Sequence, residues 1–308
     1  MSSKFSSVRP RRPRATDAVA PARLAGPSVV LDRRVNAWRD DLADIALADR
    51  VIAPSYAAPV DMACGFASSP LCGAPNDDAV QVSELLPGED FAVFDLAGDW
   101  AWGQAADDRY VGWVRRAALG PAADAAQRIT APLALVFAAA SIKSRVVATL
   151  PLGARVAVEP AGADFLRMTG EVAGFLHRRY LEPRSGDAVD FGQAFVGTPY
   201  RWGGRTRDGI DCSGLMQILL QAQGVACPRD ADQQVRAFPA VAFDERQRGD
   251  LLWFPGHIGM LCDPNTLLHA NAFWMTTVVE PLDDMLARQD RPRVTIVRPP
   301  CEPVGAPL

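Results

Sequence analysis

Short apolar segments separated by turn residues fill the middle of the chain. Leu85-Leu86 leads through Pro87-Gly88-Glu89-Asp90 into Phe91-Ala92-Val93. An alternating stretch follows at Trp100-Ala101-Trp102-Gly103, and then Tyr110-Val111-Gly112-Trp113-Val114. The same order returns further on: Leu150-Pro151-Leu152-Gly153 before Val156-Ala157-Val158, then Phe165-Leu166-Arg167-Met168, then Gly174-Phe175-Leu176. Each unit reads as a turn, a β-branched strand, a turn, an alternating strand, and a last strand marked Gly-aromatic-aliphatic. Repetition at a domain-sized interval predicts two small all-β barrels in tandem, over 55–122 and 127–184. Gly120 to Gln127 breaks the pattern between them.

The flanks differ. Residues 1–28, rich in Ser, Pro, Arg and Ala, read as a disordered basic tail. Over 29–54, Leu31, Val35, Trp38, Leu42, Ile45 and Leu47 are spaced loosely enough for either a helix or an arm lying on another surface. From 185 to 308 the period changes. A helical segment is expected around Ala188 to Val196, and a second after Cys212, where Leu215, Met216, Leu219, Leu220 and Ala222 recur at helical spacing before Gly224. Strands are expected over Asp250 to Phe254, His257 to Cys262, Leu267 to Phe273 and Val294 to Val297, with turns at Pro255-Gly256 and Asp263-Pro264-Asn265. Helices followed by a run of strands make an α+β unit.

A net charge of −4 gives no general case for nucleic acid or an anionic membrane as partner, although Lys4, Arg9, Arg11, Arg12 and Arg14 all precede the first acid, Asp17. No apolar run approaches the ~18 residues of a membrane span. The first residues lack the hydrophobic core of a secretory signal, so the reading is a cytoplasmic protein. Cys64, Cys72, Cys212, Cys227, Cys262 and Cys301 show no Cys-x-x-Cys spacing, and with three histidines in the chain no zinc pattern assembles. Free thiols are the default in a reducing compartment, where Cys64 and Cys72 would stay unpaired.

One of those cysteines stands apart. Cys212 sits where Gly197-Thr198-Pro199-Tyr200-Arg201-Trp202-Gly203-Gly204 and a polar turn give way to a helix. Unpaired N–H groups and the helix dipole at such a start favour the thiolate. His257 and His269 follow, on strands that a tight turn can set side by side. A thiol nucleophile, an imidazole that carries its proton and a third polar group that fixes the imidazole are the parts a thiol peptidase needs. A packing reading stands beside each role. Cys227, Cys262 and Cys301 read as core, Tyr200 and Trp202 can pack beneath the loop, Asn271 can orient the ring in place of His269, and His177 reads as structural.

The motifs Pro199-Tyr200-x-Trp202-Gly203-Gly204, Asp211-Cys212-Ser213-Gly214-Leu215, Gly249-Asp250-Leu251 with His257-Ile258-Gly259-Met260, and Leu268-His269-Ala270 occur in the order of the NlpC family of papain-like cysteine peptidases, which the chain resembles over about 184–300. The Gly-Trp-Val and Gly-Phe-Leu endings of the barrels resemble bacterial SH3-like domains. The expected architecture is therefore α+β: a papain-like NlpC peptidase domain preceded by two SH3-like barrels. The resemblance implies Cys212 as nucleophile, His257 as base, His269 as orienting residue and Tyr200 as the group that polarises the scissile carbonyl, with no metal or cofactor.

The segment Arg229-Asp230-Ala231-Asp232 and the SH3-like layout resemble the subgroup that cleaves peptidoglycan-derived peptides inside the cell. That resemblance implies Asp230, Glu84 and Tyr110 as acceptors for a free amino terminus, with Asp211, Ser213 and Trp202 also at the substrate. A buried ammonium does need an anion and a full set of acceptors. The bland alternatives are a solvated turn acid for Glu84 and a barrel core aromatic for Tyr110. The expected activity is hydrolysis of the γ-D-glutamyl–diamino acid bond in murein peptides bearing a free L-alanine, in cell-wall recycling. Rival readings are a secreted or surface hydrolase of intact wall, and a non-catalytic peptide-binding protein.

Overall fold

The computed structural model describes residues 31–122, 127–170, 173–289 and 293–300. The basic tail and Cys301 lie outside them. Residues 32–44 run as an arm with a turn at 33–35, ending in a short parallel pairing of Leu42–Asp44 with Ser55–Ala57 around a single 3-10 turn. The loose spacing over 29–54 thus belongs to an arm on another surface and not to a long helix. It is pinned by its own carbonyls: Arg34 O accepts the N–H of Val111 at 2.7 Å, and Val35 O accepts Gln104 Nε2 at 3.0 Å.

Strands β1 (Val60–Cys64), β2 (Ser69–Cys72), β3 (Gln81–Leu85), β4 (Asp90–Ala97), β5 (Trp100–Ala105), β6 (Val111–Arg115) and β7 (Leu119–Pro121) form a seven-stranded sheet in the order β3-β2-β6-β5-β4-β1-β7. Its inward residues Leu71, Leu85, Phe91, Val93 and Val114 make a closed apolar core. A second all-β unit follows. Strands β8 (Leu133–Phe137), β9 (Val146–Pro151), β10 (Val158–Pro160), β11 (Phe165–Met168) and β12 (Phe175–His177) pair in the order β9-β8-β12-β11-β10 over Val136, Leu150, Val156 and Leu176. His177 is structural here: its Nδ1 accepts the N–H of Arg179 at 3.3 Å.

The remainder is α+β. Helices α1 (Ala188–Gln193), α2 (Cys212–Ala222) and α3 (Ala231–Ala237) precede β13 (Ala240–Val241), β14 (Leu251–Phe254), β15 (His257–Asp263), β16 (Thr266–Asn271) and β17 (Thr276–Pro281). Helix α4 (Leu282–Ala287) and β18 (Thr295–Val297) complete an antiparallel six-stranded sheet ordered β13-β18-β14-β15-β16-β17. Leu215, Met216, Ile218 and Leu219 of α2 are buried against Leu251, Ile258, Met260, Leu268 and Ala270 of the sheet. The expected strand Leu267 to Phe273 ends earlier, at Asn271. Phe273-Trp274-Met275 forms an exposed turn, with Met275 in the left-handed region (φ 54°), and the chain returns as β17. Helix α3 has no apolar stripe of its own, which is why periodicity does not reveal it.

Both β units contribute to the core beneath α2. Leu86 and Leu152, from their turns, are buried in the same cluster as Ile218. Around them lies a layer of buried charge. Arg205 is 1% exposed and pairs with Glu89 at 2.9 Å, and its Nη1 also donates to Glu84 O at 2.7 Å. These contacts fix the seven-stranded sheet against the loop that leads into α2.

Candidate active site

Asp211 is the N-cap of α2, and its buried carboxylate organises the loop before it. Oδ1 accepts the N–H of Gly214 at 2.7 Å, and Oδ2 accepts that of Gly203 at 2.7 Å. Gly203 needs its left-handed φ of 76° to turn that N–H inward. A Cβ on Gly214 would run into the carbonyl oxygen of Gly204, so only glycine lets loop and helix meet this closely. Arg229, fully buried, donates from Nη2 to Asp211 Oδ2 at 2.7 Å and from Nη1 to Ser213 Oγ at 2.8 Å. Its Nε reaches Ser83 of the seven-stranded sheet at 3.1 Å. Cys212 is thereby held at the first turn of α2, with the backbone N–H of Ile258 at its sulfur.

The residue before Ile258 is His257, at the start of β15. β15 and β16 are antiparallel with Met260 opposite Leu268, and the imidazoles of His257 and His269 lie with ring centroids 5.0 Å apart. His257 Nε2 and His269 Nδ1 are 2.7 Å apart, and His269 Nε2 lies 2.7 Å from Glu280 Oε1. Glu280 was not singled out in the sequence. It stands opposite Leu267 on β17, and so diagonally across from His269 on the same face. Arg288 Nη2 and Trp274 Nε1 also donate to its carboxylate, at 2.5 and 3.3 Å.

That geometry fixes the tautomers. Burial works against a charge on Glu280, but the bond from Arg288 and the field of His269 outweigh it and hold the carboxyl below its usual range. An ionised carboxylate only accepts, so His269 donates from Nε2–H. Its bare Nδ1 then accepts from His257 Nε2–H. The Asn271 amide agrees: its Oδ1 accepts the N–H of Phe273 at 2.6 Å, which turns Nδ2 toward His269 Nδ1 at 3.4 Å. Asn271 thus shapes the turn and adds only a long contact to the ring. The nitrogen left with a free lone pair is His257 Nδ1.

Burial dominates the electrostatics of the pair. It pushes the Cys212 thiol up to about 12, with the Asp211 charge adding to it, while the N–H groups of Ile258 and Ser213 and the Arg229 charge pull the other way. It pushes His257 down to about 3, aided by His269. Burial thus disfavours the charged form of each group. The N–H groups at the helix start act in the direction expected from the helix dipole, against the larger effect of burial.

Beside the thiol is a cavity of about 300 Å³, lined among others by Cys212, Ser213, Trp202, Asp230, Tyr110 and Arg34. Tyr200 is near as well: burial raises its phenol above the usual range, and the Cys212 charge adds to the effect. Trp202, 62% exposed, stands at the rim. Asp211 and Ser213 line the same space, but their polar atoms are engaged by Arg229 and the loop. Also on the cavity wall, Asp230 begins α3 without a side-chain cap; its Oδ2 instead accepts the Tyr110 hydroxyl at 3.0 Å and Arg34 Nη1 at 2.7 Å. Burial raises the Asp230 carboxyl, while Arg229, Tyr110 and Arg34 oppose that.

Glu84, expected at the amino-terminus subsite, is buried and bonded within the protein. Its carboxylate accepts Arg201 Nη2 at 2.6 Å and the N–H of Arg205 at 2.7 Å, inside the charged layer between the β unit and the loop. It does not line the cavity. Three residues at or behind the site were not anticipated as participants: Glu280, Arg229 and Arg34. Glu280 carries a faint signal, as the one charge in its strand, and Arg229 as the neighbour of Asp230. Arg34 carries none, since Asp230 and Asp232, its partners at the cavity, are 196 and 198 residues away.

Comparison with known proteins now bears on this arrangement. The NlpC/P60 family matches residues 197–286, the span from the glycine-rich loop through α4. The chain carries an NlpC/P60 domain. Residues 71–119, within the seven-stranded sheet, match the bacterial dipeptidyl-peptidase SH3 domain. Dipeptidyl-peptidase 6 of Lysinibacillus sphaericus is 36% identical over 137 residues, 40% of this chain and 50% of that protein. The gamma-D-glutamyl-L-lysine dipeptidyl-peptidase of Bacillus cereus is 25% identical over 241 residues, 68% of this chain and 72% of that one. The match thus spans only half the length of the Lysinibacillus protein. The crystal structure of an NlpC/P60 family protein from Bacillus cereus superposes with a TM-score of 0.63 at 20% identity, over 73% of this chain and 95% of that one. The shared fold is SH3-like strands followed by an NlpC/P60 α+β unit.

Proposed function

We propose that the protein is a cysteine peptidase that hydrolyses the γ-D-glutamyl–diamino acid bond of short murein peptides with a free L-alanyl amino terminus. One observation carries the reading: a single cavity of about 300 Å³ is lined by Cys212 and by Asp230 and Tyr110, whose carboxylate and phenol are hydrogen-bonded to each other. That space suits a dipeptide.

In the proposed reaction the Cys212 sulfur attacks the γ-carbonyl of D-glutamate as His257 Nδ1 takes the thiol proton. The developing oxyanion is met by the Cys212 N–H and the Tyr200 hydroxyl, for which the described residues supply no other partner. His269 holds the imidazolium, with Glu280 behind it. Collapse returns the proton to the leaving amine, and water then cleaves the thioester through the same base. Asp230 and the phenol oxygen of Tyr110 accept from the substrate ammonium, placing the second residue of the peptide at the thiol. A preference for free short peptides fits cytoplasmic recycling of wall fragments better than attack on intact wall.

The test is incubation of the purified protein with L-Ala-γ-D-Glu-diaminopimelate and chromatography of the products. Release of L-Ala-D-Glu and diaminopimelate is expected, with loss of turnover in Cys212→Ala and on N-acetylation of the alanine. Equal turnover by Cys212→Ala would refute the mechanism; equal turnover of the acetylated peptide would refute the amine site.

A further inference from the structure

The arm over 32–36 does more than lie on the seven-stranded sheet: it delivers one guanidinium to the wall of the cavity. Arg34 Nη1 donates to Asp230 Oδ2 at 2.7 Å and to Asp232 Oδ1 at 2.8 Å. Nη2 donates to Asp232 Oδ2 at 2.9 Å and to Asp32 Oδ2 at 2.8 Å, and Nε donates to Asp32 Oδ1 at 3.1 Å. All five N–H groups are thus taken by carboxylates, so Arg34 has no donor left for a substrate carboxylate. We propose that Arg34 is the specificity-determining positioning residue of the amino-terminus subsite, keeping Asp230 ionised and turned toward the cavity. This rests on the reading above, in which that subsite takes an ammonium.

Three features support the assignment. First, Asp230 occupies an N-cap position yet its side chain makes no capping bond to the helix N–H groups, forgoing the stabilisation an N-cap carboxylate ordinarily gives. Its carboxylate is held away from the helix by Arg34 and Tyr110, both on its Oδ2; Oδ1 has no hydrogen bond among the described residues. Second, the charges do not cancel. Asp32, Asp230 and Asp232 face Arg34 and, through Asp232, Arg236, whose Nη2 is 2.5 Å away. Arg229 is already paired with Asp211. The cluster keeps one carboxylate more than it has guanidiniums, which matches a single ammonium. Third, Arg34 borders open space without filling it.

The consequence is a pH signature. Asp230 is buried, and burial already raises its carboxyl. The groups facing it are Arg34 from the arm, Tyr110 beside β6, Arg229 from the loop and Asp232 from α3, with Asp32 and Arg236 behind. Without Arg34, three carboxylates share one site with less compensation, so Asp230 takes up a proton at still higher pH and loses the ammonium.

The probe is L-Ala-D-Glu, titrated calorimetrically against full-length Cys212→Ala protein between pH 4.5 and 8, with and without a change at position 34. In parallel, kcat and KM for L-Ala-γ-D-Glu-diaminopimelate are measured with Cys212 intact. Arg34→Ala is expected to weaken dipeptide binding at least tenfold at pH 7, raise KM alike with kcat within threefold, and move the acid midpoint of binding upward by a unit or more. Arg34→Lys, which keeps the charge but not the fork, should restore the midpoint and part of the affinity. Tighter binding by Arg34→Ala would mean that the arm competes with substrate, and an unmoved midpoint that it is only a wall; either overturns the proposal. Dipeptide binding by the parent with no effect at Arg34 would sink this inference alone, whereas no binding by the parent would sink the amine-site reading with it.

Discussion

Glu280 decides which way protons can move through the two imidazoles. Because an ionised carboxylate only accepts, its contact with His269 Nε2 leaves Nδ1 of both rings without a proton in the resting site. A neutral amide at this position has the same shape but can donate, and rotation would let His269 adopt the opposite tautomer. Glu280→Gln should therefore lower kcat by about 10–100-fold while leaving KM within about twofold. Steady-state kinetics on the tripeptide check this; an unchanged kcat would show that Arg288 and Trp274 hold the ring environment without the carboxylate. Cys212, His257 and His269 are legible in the sequence because they combine reactive side chains with local motifs: a glycine-rich loop, a helix start and two strands across a turn. Glu280 is not, since its only sequence signal is one acid in Thr276-Thr277-Val278-Val279-Glu280-Pro281, and a strand read in isolation offers no reason to turn that acid inward.

At the scale of elements, the approach of the glycine-rich loop to α2 controls where the thiol lies. Asp211 caps the helix and ties back the loop, and Gly214 lets the Gly204 carbonyl come close. Gly214→Ala would normally favour a helix interior by about 1 kcal/mol. Here the added methyl meets backbone and must push the loop off the helix, an overpacking cost of about 1–3 kcal/mol. Lower thermal stability and at least tenfold lower kcat are expected, both measurable on one preparation. A more stable, fully active variant would mean that the loop yields freely. The two barrels and the α+β unit are visible in the sequence because their strands repeat with strong turn signals. Helix α3 and the short β13 are not, and the arm is visible only as one of two readings, because their positions depend on partners far along the chain and not on local periodicity.

Across the whole molecule, the seven-stranded sheet and the NlpC/P60 unit share a buried charged layer. Glu84 belongs to it, and the resemblance that placed Glu84 at the substrate could not reveal its bonds to Arg201 and Arg205. At the centre of the layer Arg205 meets Glu89, whose Oε2 also accepts the N–H of Leu86. Burial pushes the Glu89 carboxyl up and Arg205 draws it back. Removing one partner of a buried pair typically costs about 3–5 kcal/mol, because the other is left charged and dry. In Arg205→Met, Glu89 escapes part of that cost by taking a proton. Its pKa in the folded variant then lies above the unfolded value of about 4.3, so the unfolded state releases the proton at lower pH than the folded one. Stability must therefore fall as pH rises between those two values. Urea unfolding should find Arg205→Met less stable than the parent at pH 5 and further below it at pH 8. A deficit that shrinks with rising pH would show that Glu89 is solvated in the variant, and that the layer is held by packing of Leu86 and Leu152 and not by its charges.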